Sequence, residues 1–325
     1  MIELGRRRVG ETKLEISRVG LGGVALGYMY EPVPDEVAVS TVRRALSVGF
    51  NHVDTAPLYG AGTSESRVGE ALAGVDRKRF TISTKVGRVL VPSSKPPRWK
   101  GAPKLEAVFD FSAAGIRASF QESLRRLRLG GVDILLIHDC DDDVPRALKE
   151  SYPTISKLKE AGETKAIGAG LNSWETALRL ARGADLDCFL IAGRYTLLEQ
   201  GALEEFLPYC QDHKIGVLIG GPFNSGILAS DLSAGAKYNY EEAPPELLKK
   251  ARRIKGVCDT HSTPLRAAAL QFILANPVVT STIPGSRSPE EVEENAKALQ
   301  FAIPRGLWDD LKSEGLVRED APVPH

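Results

Sequence analysis

The sequence predicts a closed (β/α)8 TIM barrel preceded by an N-terminal β-hairpin, with residues 1–325 forming a single domain. Three observations predict it. Short apolar runs recur along the chain between helical patterns, and such alternation builds a parallel sheet. The runs are continuously apolar rather than alternating, as strands buried on both faces must be. Eight such units in 325 residues suit one barrel better than two doubly wound halves, and no composition break or low-complexity stretch marks a linker.

Taken in order, Arg7-Arg8-Val9, a turn at Gly10-Glu11-Thr12 and Leu14-Glu15-Ile16 form the hairpin, which feeds a first strand at Val19-Gly20-Leu21-Gly22. Asp35 is placed to cap a helix whose Ala38, Val42, Ala45 and Leu46 share one face, and Gly49 closes it. The second strand is 51–54. Ser64 is placed to cap the next helix, which Gly74 stops before a third strand at 80–84. From Arg88 to about Phe109 no period is visible, and Pro92, Pro96, Pro97 and Pro103 interrupt it. A connection of this length with aromatic side chains reads as a functional lid. Later strands are expected at 132–137, 165–168, 188–191, 215–219 and 278–283. Helices are expected near 112–128, 145–161, 173–182, 201–213, 245–260 and 264–275, then from Ser288 and near 305–314.

Lys+Arg 42 balances Asp+Glu 42, so no basic field for nucleic acid or acidic lipid is expected. Cys140, Cys188, Cys210 and Cys258 are far apart and form no CxxC pair, which suggests reduced thiols. Residues 1–10 are polar and basic, unlike a signal peptide, and no apolar run approaches the ~20 residues of a membrane helix. The expectation is a cytoplasmic protein that acts on a small molecule, with no nucleic-acid or membrane partner.

In a barrel of this kind the carboxyl ends of the strands gather at one mouth. The second strand ends on Asp54, with Tyr59 in the loop that follows; the third runs into Lys85 and the fourth into His138. Alone, Asp54 and Tyr59 read equally well as a turn aspartate and a half-buried tyrosine. Matching places on three neighbouring strands favour a shared site. A tyrosine hydroxyl titrates near ~10, and an ammonium ~4 Å away contributes at most roughly 4 kcal/mol, about three pK units. Lys85 could thus make Tyr59 an acid–base at neutral pH, Asp54 could hold Lys85, and His138 could orient a substrate oxygen. An acid–base with no protein nucleophile beside it suits hydride transfer, with a cofactor supplying the redox chemistry.

Over essentially its whole length the chain resembles the aldo-keto reductases. The resemblance rests on the hairpin, Asp54-Thr55-Ala56-Pro57-Leu58-Tyr59-Gly60 with Ser64-Glu65, Thr84-Lys85-Val86, and Val132-Asp133-Ile134-Leu135-Leu136-Ile137-His138. It implies a (β/α)8 barrel, a nicotinamide cofactor bound without a Rossmann fold, and a catalytic tetrad of Asp54, Tyr59, Lys85 and His138. The stretches 167–175, 192–198 and 220–226 resemble the aldose 1-dehydrogenases (fucose and galactose types) and pyridoxal 4-dehydrogenase. That likeness implies oxidation of a cyclic hemiacetal to a lactone; general NADPH-linked aldehyde or ketone reduction is the alternative.

The resemblance also implies cofactor contacts. Asn172 matches the family asparagine that binds the nicotinamide carboxamide, though it reads alternatively as a turn or cap residue. Ala192 stands where a glutamine is usual, and Gly220 where an aromatic residue usually stacks, leaving Phe223 or Tyr195 to compensate. The loop Gly220, Gly221, Pro222, Phe223, Ser225 and Gly226 is expected beside the cofactor. After the last strand, Gly285, Ser286, Arg287, Glu291, Glu294 and Asn295 are expected at the phosphate and ribose end, where a helix N-terminus favours an anion. Glu291 in place of an arginine favours NAD. NADP stays possible because Arg287 could hold a 2′-phosphate, and Glu291 also fits a capping box with Ser288.

Trp99 and Phe109 in the lid are candidate walls of the substrate site, and Asp139, next to His138, is a candidate for substrate hydroxyls. The run Asp139-Cys140-Asp141-Asp142-Asp143 has no accompanying HxH or HExxH, so it reads as a loop or helix cap and no metal is expected. His52 reads as a packed core residue, His213, His261 and His325 as surface or helix-end residues, and 125–128 as a solvated helix face. Rival readings are a nucleotide-sensing regulatory subunit and a metal-dependent barrel hydrolase.

Overall fold

A computed structural model describes residues 4–29, 31–232, 237–238 and 241–324; His325 lies outside them. β1 (Arg6–Arg8) and β2 (Glu15–Ser17) pair antiparallel as the expected hairpin. Eight parallel strands follow: β3 (Leu21–Gly22), β4 (His52–Asp54), β5 (Thr81–Val86), β8 (Ile134–His138), β9 (Ala166–Leu171), β10 (Cys188–Ala192), β11 (Gly216–Gly220) and β14 (Val279–Ile283). They are hydrogen-bonded in chain order. Parallel bridges Val19↔Thr282 and Gly22↔Gly285 join first strand to last, so the ring closes. Val9, Leu14 and Ile16 of the hairpin region pack with Ile134, Leu136, Leu190 and Leu218 as one buried cluster, sealing the amino-terminal end. Arg7 fastens that seal by donating to the carbonyls of Asn276, Pro277 and Val279.

Helices pack around the ring, most by one apolar stripe and α9 (Leu265–Ala275) by a nearly all-apolar surface. They are α1 (Asp35–Val48), α2 (Thr63–Leu72), α3 (Ala113–Leu127), α4 (Val144–Arg146), α5 (Tyr152–Glu160), α6 (Trp174–Gly183), α7 (Phe206–Asp212), α8 (Pro245–Thr260), α9 (Leu265–Ala275), α10 (Pro289–Ala298) and α11 (Arg305–Ser313). Two expected caps are replaced. Pro34 precedes α1, and Asp35 instead accepts from Arg67 Nε at 2.8 Å. Gly62 precedes α2, and the Ser64 hydroxyl donates to the Gly23 carbonyl at 2.7 Å. The single helix expected near 145–161 is interrupted by a π-turn, Ala147–Ser151, just before Pro153, which has no N–H to continue the ladder.

The aperiodic lid is corrected to a hairpin. β6 (Arg88–Pro92) and β7 (Leu105–Phe109) pair antiparallel through five residue pairs, with β12 (Lys237–Tyr238) and β13 (Glu241–Glu242) a smaller ribbon near 240. Every proline between 88 and 109 falls at Pro92 or in the turn, so none breaks the ladder. The hairpin leans on α3, where Ser119 donates to the Arg88 carbonyl at 2.9 Å. Beneath it, α2 and α3 leave a cleft of about 540 Å³.

Candidate active site

β4, β5 and β8 are adjacent, and their registers bring three carboxyl ends to one place. Lys85 Nζ donates to Asp54 Oδ2 at 2.7 Å and to the Thr55 carbonyl at 2.9 Å. Asp54 Oδ1 accepts from Ser83 at 2.7 Å. Lys85 and Asp54 are both buried. Such a pair survives burial only with its remaining donors and acceptors met, and Thr55 and Ser83 do that here. Gly170 on β9 makes the room: a Cβ there would stand 3.3 Å from Lys85 Cε.

Tyr59 reaches the same pair from the loop after β4. Tight turns at Ala56–Tyr59 and Pro57–Gly62 fold that loop back, and Gly60, at φ +64°, presses so closely on Gly27 that neither tolerates a side chain. The Tyr59 ring centroid is 4.7 Å from Lys85 Nζ and 6.0 Å from the His138 ring, edge to face. His138 is pushed down to about 4, chiefly by burial; Lys85 and Arg88 add to the effect, and Asp139 and Asp54 oppose it. Its imidazole is therefore neutral at neutral pH, with one nitrogen a donor and the other an acceptor. Nδ1 is buried with no hydrogen-bond partner among the described residues. The four residues expected from strand-end positions thus converge.

The other candidates divide. Asn172 lies just past β9, donating from Nδ2 to Asp139 Oδ1 at 2.9 Å, while its own carbonyl accepts from Arg194 Nε at 2.7 Å. Ala192 and Gly220 are partners at the ends of β10 and β11. The loop of Gly221, Pro222, Phe223, Ser225 and Gly226 is held by Asn224, which donates to the Gly193 carbonyl at 3.0 Å and accepts from Thr196 at 2.7 Å. Phe223 lies beneath Arg266 at 5.2 Å. Tyr195 is corrected: it is fully buried against Phe272, and burial pushes its hydroxyl up to about 12, so it presents no face for stacking.

After β14, Gly285 lines the closing bridge and Ser286 is buried, accepting from Asn295 Nδ2 at 3.2 Å. Asn295 and Glu294 both engage Arg266, at 2.8 and 3.1 Å. Arg287 is clasped by Glu291 at 2.8 Å and Glu31 at 3.0 Å, and Glu291 also accepts from the Arg287 backbone N–H at 2.8 Å. The helix-start reading of Glu291 is realised. Gly221 and Gly285 are exposed, and a helix N-terminus such as that of α10 favours a phosphate.

On the substrate side, Phe109 is 52% exposed and lies opposite Arg88 at the base of the β6–β7 hairpin, whose guanidinium stacks on it at 3.9 Å. Trp99 is in the turn at the far end, with neighbouring Gly101 against the Tyr28 ring, so the two expected walls are held apart. Asp139 adjoins His138, in a left-handed conformation at φ +48°. His52 is a core residue, bonded to Thr81 at 2.9 Å and pushed down to about 4 by burial. Arg126 departs from the solvated face expected for 125–128: it is largely buried and bonds Glu65 at 2.6 Å, which accepts from Thr84 at 2.6 Å. Ser83, Arg88, Arg194 and Asn224 were not anticipated. Arg88, ending the run after Lys85 and Gly87, carried the one usable signal, a cation directly beyond a strand end.

The chain is 37% identical to D-threo-aldose 1-dehydrogenase of Pseudomonas sp, covering 94% of this chain and 95% of that one. It is 35% identical to pyridoxal 4-dehydrogenase of Microbacterium luteolum, covering 96% and 98%. Among solved structures, the holo form of an aldo-keto reductase from Bacillus halodurans superposes with a TM-score of 0.78 at 26% identity, covering 99% and 98%. The aldo/keto reductase family model matches residues 18–314, and the chain belongs to that family of oxidoreductases.

Proposed function

We propose that this protein is an NAD-linked aldose 1-dehydrogenase that oxidises a cyclic hemiacetal hydroxyl to a lactone. The observation that carries the reading is the buried Lys85 ammonium, fixed by Asp54 and Thr55 and aimed at the Tyr59 ring 4.7 Å away. Mere nucleotide binding needs no such assembly. Two relatives named for oxidation at an aldose carbon and at a pyridoxal carbon support the direction of reaction.

A bound nicotinamide supplies the hydride acceptor. Tyr59 takes the hydroxyl proton of the substrate, and the Lys85 ammonium stabilises the phenolate that does so. Asp54 keeps Lys85 in line and charged. His138, neutral because it is buried, positions the reacting oxygen through one ring nitrogen. Asn172 holds the carboxamide side. Phe109 offers an apolar face to a sugar ring. Arg287, already matched by two carboxylates, has little charge left for a 2′-phosphate, which favours NAD.

A panel of L-fucose, D-arabinose, L-galactose and pyridoxal run with NAD and with NADP tests the reading. Oxidation of at least one sugar with NAD preferred is expected; activity confined to carbonyl reduction with NADPH overturns it. Tyr59→Phe should lower kcat on the order of 10²- to 10⁴-fold with an unchanged melting curve.

A further inference from the structure

One carboxylate touches both halves of this site. At the end of β8 the chain turns through Asp139 in the left-handed conformation, with its N–H given to the Gly170 carbonyl at 2.9 Å. Asp139 Oδ2 accepts from Arg88 Nη2 at 2.8 Å and lies 3.4 Å from His138 Nε2. Oδ1 accepts from Asn172 Nδ2 at 2.9 Å. Burial alone would raise the Asp139 carboxyl, but His138 and Arg88 outweigh it and hold it below the usual carboxylate range. An ionised carboxylate only accepts hydrogen bonds. It therefore selects the –NH₂ side of Asn172, turning the amide oxygen away, and it favours the imidazole proton on Nε2.

We propose that Asp139 and Arg88 are positioning residues: Asp139 sets the amide of Asn172 and the tautomer of His138 together, and Arg88 ties that setting to the β6–β7 hairpin. The inference rests on the reading above, in which Asn172 faces the cofactor and His138 the substrate. Arg88 suits the task because it is anchored at three points: its guanidinium on Asp139, its face on Phe109 at 3.9 Å, and its carbonyl on Ser119. Movement of the hairpin on substrate entry would thus reach the imidazole and the amide through a single ion pair.

The charges facing His138 come from β4 (Asp54), β5 (Lys85), β6 (Arg88) and the end of β8 (Asp139), with the Tyr59 ring edge beside it. Asp139 pulls its titration upward and Arg88 pulls it downward. Arg88→Met and Asp139→Asn should therefore move His138 in opposite directions, which loss of packing would not do.

The test is an NMR titration of the His138 imidazole in the full chain, with NAD affinity followed by quenching of protein fluorescence. Arg88→Met should raise the midpoint by on the order of one pH unit, Asp139→Asn should lower it, and Arg88→Lys should return it toward the starting value. Asp139→Asn should also weaken NAD binding roughly tenfold, as loss of one charged hydrogen bond implies. Unchanged midpoints, or shifts of the same sign in both variants, overturn the proposal; should Asp139→Asn fail to fold, the Arg88→Met and Arg88→Lys pair still decides it. Neither readout requires turnover, so a protein inactive on every sugar with both cofactors would sink the dehydrogenase reading while leaving this one to stand or fall by its own titration.

Discussion

His52 and His138 show how burial sets chemistry one side chain at a time. Each is pushed from its ordinary value of 6.5 down to about 4, with burial the largest cause. The unfolded chain therefore binds protons at these positions more readily than the folded chain does. Their contribution to stability is fully present above about pH 6.5 and drains as pH falls toward 4, by on the order of 3 kcal/mol for each. Urea midpoints measured across that window should fall steeply, and His52→Gln should flatten the slope while leaving NAD binding unchanged. The tetrad was legible in the sequence because Asp54, Lys85 and His138 each end an apolar run. Ser83 was not, since a serine inside a strand takes on meaning only from the neighbour opposite, and Arg88 offered no more than a cation just past the end of β5.

Between elements, the α2–β5–α3 contact turns on Glu65. Its buried carboxylate joins Thr84 on β5 to Arg126 on α3. Glu65→Ala would leave a largely buried guanidinium and a hydroxyl without their partner, at a cost of about 3 kcal/mol in chemical denaturation. Glu65→Gln, which keeps an acceptor, should lose less; equal losses would mean the helix packing rather than the ion pair carries the contact. The β6–β7 hairpin was illegible for a physical reason. Val89-Leu90-Val91 and Ala107-Val108-Phe109 are short apolar runs, but no helical pattern separates them as it separates the barrel strands. The four prolines around the turn hid the pairing further. Arg126 was misread similarly: one helical turn of arginines looks uniformly polar until a buried glutamate on another helix selects one of them.

For the molecule as a whole, the two ends of the barrel divide their work. The carboxyl-end mouth carries the tetrad, and the opposite end is closed by the β1–β2 hairpin with Arg7 spanning three carbonyls. Arg7→Ala should lower stability by about 2 kcal/mol while kcat and KM stay as they were, because that face takes no part in catalysis in barrels of this type. A changed kcat would show that the seal reaches the mouth. The order of eight strands was readable from alternation alone. Eight units also predicted closure, but not the residues that make it, since Val19↔Thr282 and Gly22↔Gly285 are backbone bridges that no side-chain pattern announces.

That closure has a temporal side. The first barrel strand emerges from the ribosome early, yet the strand that completes its pairing is made only at Val279–Ile283. At ordinary rates of synthesis the growing polypeptide spends on the order of tens of seconds with two open sheet edges. Through that interval β3 and the most recently made strand are each a template for a stray partner, so aggregation during translation is a hazard this topology carries.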